Sequence, residues 1–236
     1  MLDNIEINKI LFLDIETVPA FPSYTKVPKR FKDLWDKKAK RLIKDEKDTA
    51  KSIYPRAGIY AEFGKIICIS VAFFHKEELR VKSYYSDDEK SLLVDFSKLL
   101  IGYFNTKDHL LCGHNAKEFD FPYIARRMII NGIKLPNILN MAGKKPWEIR
   151  HLDTMELWKF GDYKSYTSLD LLTAVFNIPT PKDDIDGSEV WSVYWKDKDL
   201  ERIKTYCEKD TIAVVQVFLS YLNNDLLEDS KIIFTK

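Results

Sequence analysis

The strongest constraint in this chain is the segment LFLDIET, an apolar run that ends in two acids, Asp14 and Glu16, two residues apart. The run predicts a strand, and because strand side chains alternate, Ile10, Phe12, Asp14 and Glu16 share one face. A buried ladder closing on two carboxylates repels itself, so it calls for a cation or for raised pKa values. Further along, Ile203, Tyr206, Asp210, Val214 and Val217 recur at steps of three and four, which puts Asp210 on the core-facing stripe of a helix. The Tyr206 phenol stands one turn before it. Asp120 precedes Phe121-Pro122 at a predicted helix start, where alone it reads equally as an N-cap. Taken together, four hard oxygen donors from a strand and helices are what Mg2+ or Mn2+ requires.

Three blocks carry this chemistry in order: D-I-E-T at Asp14 to Thr17, N-x-x-x-F-D at Asn115 to Asp120, and Y-x-x-x-D at Tyr206 to Asp210. With them the chain resembles the DEDD superfamily of 3′ to 5′ exonucleases. Thr205 stands where the histidine subgroup would place His, which favours the tyrosine (DEDDy) version. The strings GHNAKEFDFPYIARR and PKDDIDGSEV make it similar to predicted exonucleases related to the proofreading domain of B-family DNA polymerases. The resemblance implies an α/β, ribonuclease H-like fold with a mixed central sheet flanked by helices. It implies phosphodiester hydrolysis from the 3′ end to nucleoside 5′-monophosphates, with nucleic acid as partner and single-stranded DNA expected ahead of RNA. It also implies two Mg2+ or Mn2+ ions per site, with Asp14 bridging, Glu16 and Asp210 on the nucleophile-side ion, and Asp120 on the second. Tyr206, with an ordinary pKa of about 10, is expected to position the attacking water as a neutral phenol.

Thr17, Phe21, Asn115 and Phe119 are the substrate-side candidates. The Asn115 amide both donates and accepts, and aromatic rings stack on bases without regard to sequence. Tyr123 fits that role less well than it fits the core. His114, with no second histidine at ligand spacing, reads as a packed, hydrogen-bonded residue. His151 and Asp153 read as a strand end and a helix cap. Asp183, Asp184 and Asp186 in PKDDIDGS read as a solvated loop before a helix starting at Ser188, with no chemical role assigned.

The rest of the pattern fits one exonuclease domain over 1–236. A charged helical insertion spans about 28–51, its apolar stripe limited to Phe31, Leu34, Trp35 and Leu42. KIICISVAFF and ELRVKSYY predict two strands turning at His75 to Glu77, Asp88 to Tyr103 a helix, HLLCGHN a strand, and Phe121 to Ile130 a helix stopped by Asn131-Gly132. EIRHLDT predicts a short strand, and Ser168 to Phe176 and Lys198 to Leu222 predict helices.

A composition that is 45% hydrophobic and 13% aromatic excludes a disordered chain. A net charge of +1 gives no general basic footprint, so any phosphate-tracking surface must come from local clustering. The lysine-rich insertion is the one candidate, although Asp33, Asp36, Asp45, Glu46 and Asp48 dilute it toward a solvated face. Three cysteines without C-x-x-C spacing, and the absence of a signal-like or membrane-spanning run, point to the cytoplasm. Two rivals stay open: a haloacid-dehalogenase-type phosphatase, with Glu16 for its second Asp and Asp183-Asp184 as its late acidic pair, and a catalytically silent nucleic-acid-binding module.

Overall fold

In the computed structural model, which describes residues 5–179 and 184–235, the LFLDIET run lies in strand β1 (Ile10–Pro19). Both faces of β1 are apolar: Leu11, Leu13 and Ile15 pack into one layer, Ile10 and Phe12 into the other. Such a strand is stable only inside a sheet covered on both sides. Six strands among the described residues form that sheet in the order β5-β4-β1-β2-β3-β6. β2 (Gly64–His75) and β3 (Glu78–Tyr85) continue β1 as the expected antiparallel meander. β4 (Leu110–Gly113) and β5 (Leu152–Asp153) run parallel on the other side, and β6 (Ile232–Thr235) lies parallel along β3. The register between β1 and β2 shifts at Glu16/Thr17, a bulge beside the acids.

One face is covered by α2 (Glu89–Tyr103) and α3 (Asp120–Ile130), the other by α7 (Leu200–Tyr221). Asp88 starts α2 by accepting from the Lys90 and Ser91 N–H groups. Glu89 is not a solvated first-turn acid. It is buried and paired with Arg127 of α3, Nε to Oε1 2.8 Å. On the other face Val214, Val215, Phe218 and Leu219 of α7 close over Ile10, Phe12, Ala72 and Val81, with Phe12 and Phe218 edge to face at 5.5 Å. The small helices α4 (Thr154–Trp158), α5 (Leu169–Val175) and α6 (Val190–Ser192) lie in the connections.

The insertion after β1 corrects the sequence reading. Its helix α1 (Lys29–Leu42) stops well short of Lys51, and a short 3-10 helix follows at Tyr54–Ile59. Phe31 and Leu34 are exposed, so the predicted apolar stripe narrows to Trp35, Ala39 and Leu42. Trp35 organises a separate small core. Its ring meets Tyr54 at 5.7 Å and Phe63 at 5.4 Å, and its Nε1 donates to Ala50 O at 2.8 Å. Burying such a side chain contributes about 2–3 kcal/mol, which outweighs what basic residues in the first turn cost the helix.

Two other boundaries moved for local reasons. The EIRHLDT strand shrinks to Leu152–Asp153 because the His151 ring, not its backbone, takes the Leu111 N–H. Asp120 is the first helical residue of α3 and Phe119 its N-cap, since the Asp120 carboxylate is directed elsewhere. No helix among the described residues is long and apolar enough to cross a membrane.

Candidate active site

β4 stops at Gly113, and the chain turns through Asn115 (φ +59°) into α3. The turn is tight: a Cβ on Gly113 would lie 2.5 Å from Ala116 Cβ and 3.0 Å from Leu13 O, so only glycine fits. Asp153, nearly fully buried, fixes this loop by accepting from the Asn115 N–H (2.9 Å) and the Lys117 N–H (3.0 Å). The same carboxylate caps α4 through the Met155 and Glu156 N–H groups. His114 is the packed histidine expected, its Nδ1 against Thr154 Oγ1 (2.9 Å) and its Nε2 against Thr167 O (3.0 Å). The loop delivers Asp120 to β1, where its Oδ1 accepts from the Ile15 N–H at 3.2 Å.

From the opposite side α7 contributes Tyr206, Cys207 and Asp210. The Tyr206 hydroxyl hydrogen-bonds Asp210. Cys207 Sγ lies 3.4 Å from Asp14 O and 3.5 Å from Asp14 Oδ2, and donor atoms of Asp14, Glu16 and Cys207 all fall within 4.8 Å of one another. Asp14 and Asp210 keep part of their surface open, while Glu16 and Asp120 are buried. Asp14, Glu16, Asp120, Tyr206 and Asp210 thus converge from three elements.

The electrostatics follow from that convergence. Burial pushes the Asp14 carboxyl well above the ordinary carboxylate range, and the charges of Asp120, Asp210 and Glu16 push it further. Burial, then Asp210, raises Glu16 in the same direction. Asp120 is raised to about 8, mainly by burial and partly by Asp153 and Asp210, against the stabilising backbone hydrogen bonds it accepts. Burial first, then the charges of Asp210 and Glu16, also raise Tyr206, so it stays a phenol at working pH. Burial raises the Cys207 thiol too, which leaves it a hydrogen-bond donor to Asp14. Carboxylate oxygens of Asp14 and Glu16 within 4.8 Å of each other, with the charges of Asp120 and Asp210 felt at both, suit a divalent cation. A further buried acceptor, Asn115 Oδ1, has no hydrogen-bond partner among the described residues.

The substrate-side candidates separate. Asn115 and Phe119 lie on the loop leading to Asp120. Phe119 packs against Tyr123, rings 5.4 Å apart, and Tyr123 is a core residue whose hydroxyl donates to Gly58 O. Thr17 hydrogen-bonds Tyr123, and Phe21 packs into the Trp35 core. Sequence reasoning missed Cys207, although it lies three residues before Asp210 and so on the same helix side, and it missed the second task of Asp153. Asp183 lies outside the described residues. Asp184 pairs with Arg202 of α7 (2.6 and 2.7 Å), and Asp186 accepts from Ser188 N–H and Oγ, within a loop. Ser188 does not start the next helix; α6 begins at Val190. The late acidic pair of a haloacid-dehalogenase-type phosphatase should follow a buried strand, and among the described residues no strand lies between β5 and Asp184.

The fold is similar to a family B DNA polymerase from the hyperthermophilic archaeon Pyrobaculum calidifontis, with a TM-score of 0.51 and 15% identity. The match takes in 91% of this chain but only 24% of the polymerase, and it shows the ribonuclease H-like fold. A family model described as a predicted 3′-5′ exonuclease related to the exonuclease domain of PolB matches residues 59–231, which include Asn115 to Asp120 and Tyr206 to Asp210 and begin after Asp14 and Glu16. With most of its length matched, the chain belongs to the family of predicted 3′-5′ exonucleases related to the exonuclease domain of PolB.

Proposed function

We propose that the chain forms a single 3′-5′ exonuclease domain that hydrolyses the terminal phosphodiester of single-stranded DNA to a nucleoside 5′-monophosphate. The observation that carries the reading is the meeting of Asp14, Glu16, Asp120 and Asp210 beside a protonated Tyr206. Asp14, Glu16, Asp120 and Asp210 would hold two Mg2+ or Mn2+ ions. Bound there, the ions would neutralise the phosphoryl charge and acidify the attacking water.

The chain's own groups do the rest. Tyr206, anchored by Asp210, presents a neutral hydroxyl that orients the water without acting as its base. Cys207 donates to Asp14 Oδ2 and limits how that carboxylate can rotate. Asn115 offers its buried Oδ1 toward a substrate hydroxyl or an ordered water. Phe119, braced by Tyr123, supplies a ring for the terminal base.

The test is digestion of 5′-labelled and 3′-blocked single- and double-stranded DNA and RNA with Mg2+, Mn2+ or EDTA. Stepwise shortening from a free 3′ end, with mononucleotide release that EDTA stops, is the expected result. Tight DNA binding with no metal-dependent release would favour a silent binding module instead.

A further inference from the structure

α1 carries a charge distribution that neither helix stability nor the proposed hydrolysis accounts for. Residues 26–51 hold eleven lysines and arginines against five acids, net +6 in a chain whose total is +1, so all other residues together carry −5. Trp35 and Ala39 face inward. Nearly opposite them Arg30, Leu34, Lys37 and Arg41, all exposed, follow at steps of four, three and four, a single stripe about 16 Å long at helical rise.

The acids of α1 do not dilute this stripe. Asp33 is paired with Lys29 at 3.2 Å, and Asp36 accepts from the Tyr24 hydroxyl at 2.8 Å. Among the described residues no carboxylate lies within ion-pair distance of Arg30, Lys37 or Arg41. Lys29 and Arg30 also occupy the first turn, where the helix dipole disfavours cations, and no side chain caps that end. A helix selected for its own stability would carry acids there.

The insertion packs closely against the strand that bears the carboxylates. It leaves β1 at Pro19, three residues past Glu16, and returns so that a Cβ on Gly58 would lie 3.0 Å from Val18 C and 3.2 Å from Pro19 Cδ. Trp195 Nε1 holds Pro19 O from the other side at 3.1 Å. α1 lies outside the segment that the family model matches.

We propose that Arg30, Lys37 and Arg41 dock the sugar-phosphate backbone of a single-stranded nucleic acid whose 3′ end occupies the carboxylate pocket, with Leu34 supplying apolar surface between them. This rests on the exonuclease reading, but its decisive measurement does not need hydrolysis. Binding of fluorescein-labelled oligo(dT) is followed by anisotropy in EDTA across a salt series, for the wild type, the stripe variant R30Q/K37Q/R41Q, and a control K107Q/K134Q/K144Q. The control removes equal charge from exposed lysines elsewhere on the surface.

Every phosphate left without its cationic side chain lowers the slope of log affinity against log salt by about 0.7 for single strands, so the stripe variant should fall by about two slope units and bind about tenfold or more weakly at 0.1 M salt. The control should match the wild type, and turnover of thymidine 5′-p-nitrophenyl phosphate with Mn2+ should be the same in all three. Equal weakening in stripe and control variants, or full affinity in the stripe variant, overturns the proposal. The second outcome leaves an acidic protein as the partner these charges fit. Failure of hydrolysis in every protein would instead sink the exonuclease reading and leave the binding result standing.

Discussion

The Asp120 carboxylate stands in for a strand: it takes the Ile15 N–H, between Asp14 and Glu16, at the level where β4 has already ended. A buried N–H without an acceptor is costly, so Asp120 serves the backbone as well as the proposed chemistry.

Asp120→Asn keeps an acceptor oxygen for Ile15 and should fold with little change, whereas Asp120→Ala should lose about 1–3 kcal/mol in urea unfolding. Both should lack exonuclease activity. Wild-type stability in the alanine variant would show that water satisfies Ile15.

A folded-state pKa near 8 for Asp120 means that the native protein holds a proton the unfolded chain has given up. That stability is complete below about pH 4 and is lost as pH rises through about 8. Thermal melts in EDTA should therefore show a larger drop between pH 6 and pH 9 for the wild type than for Asp120→Asn. Mn2+ should raise the wild-type Tm, most at the alkaline end. A Tm indifferent to Mn2+ at pH 9 would argue against any cation site here.

Tyr206→Phe should lower turnover by about 10²–10⁴-fold while the Mn2+-induced rise in Tm survives. Asp14→Ala and Asp210→Ala should lose both. Near-wild-type turnover in Tyr206→Phe would remove the water-orienting role.

His151 titrates in the opposite sense. Its Nδ1 accepts from the Leu111 N–H, so Nε2 carries the proton given to Ile138 O, and burial holds the ring pKa down to about 4. Protonation breaks the Leu111 bond. The unfolded chain binds the proton from about pH 6.5, so stability falls as pH drops from 6.5 to 4, by about 2 kcal/mol for this group. His151→Gln should flatten that limb in urea titrations at pH 7 and pH 4.5.

Glu89 accepts from Arg127, from the Ile66 N–H (2.7 Å) and from Asn131 (3.0 Å), all in the interior. Arg127→Leu strands a buried carboxylate and should cost about 3–5 kcal/mol. Calorimetry should show a Tm lower by about 10 °C, with activity per folded molecule unchanged.

The legible parts were those with a period or a spacing. Alternation along β1 and the three- and four-residue steps of α7 are local, so the meander, the long helix and the meeting of Asp14, Glu16, Asp120, Tyr206 and Asp210 could be anticipated. What escaped depends on partners distant in the chain. Glu89 is buried because Arg127 is 38 residues away, and the helix after Pro28 ends early because Trp35 needs Tyr54 and Phe63. Phe31 and Leu34 look like core by type, yet the small core holds one helix face only. Cys207 speaks in the sequence only for redox compartment, while its value lies in the 3.5 Å approach to Asp14 that the packing of α7 on β1 creates.

β1 is bonded to β2 from Phe12 to Pro19 and to β4 over Ile10 to Phe12, so Asp14 and Glu16 sit on a central strand of the sheet, held past the end of β4 by the Asp120 carboxylate. Its amides should exchange with deuterium only through global unfolding, whereas the Trp35 core can open by itself. If α1 docks nucleic acid as proposed, warming should weaken oligonucleotide binding first, while turnover of a mononucleotide ester should last until the whole sheet melts.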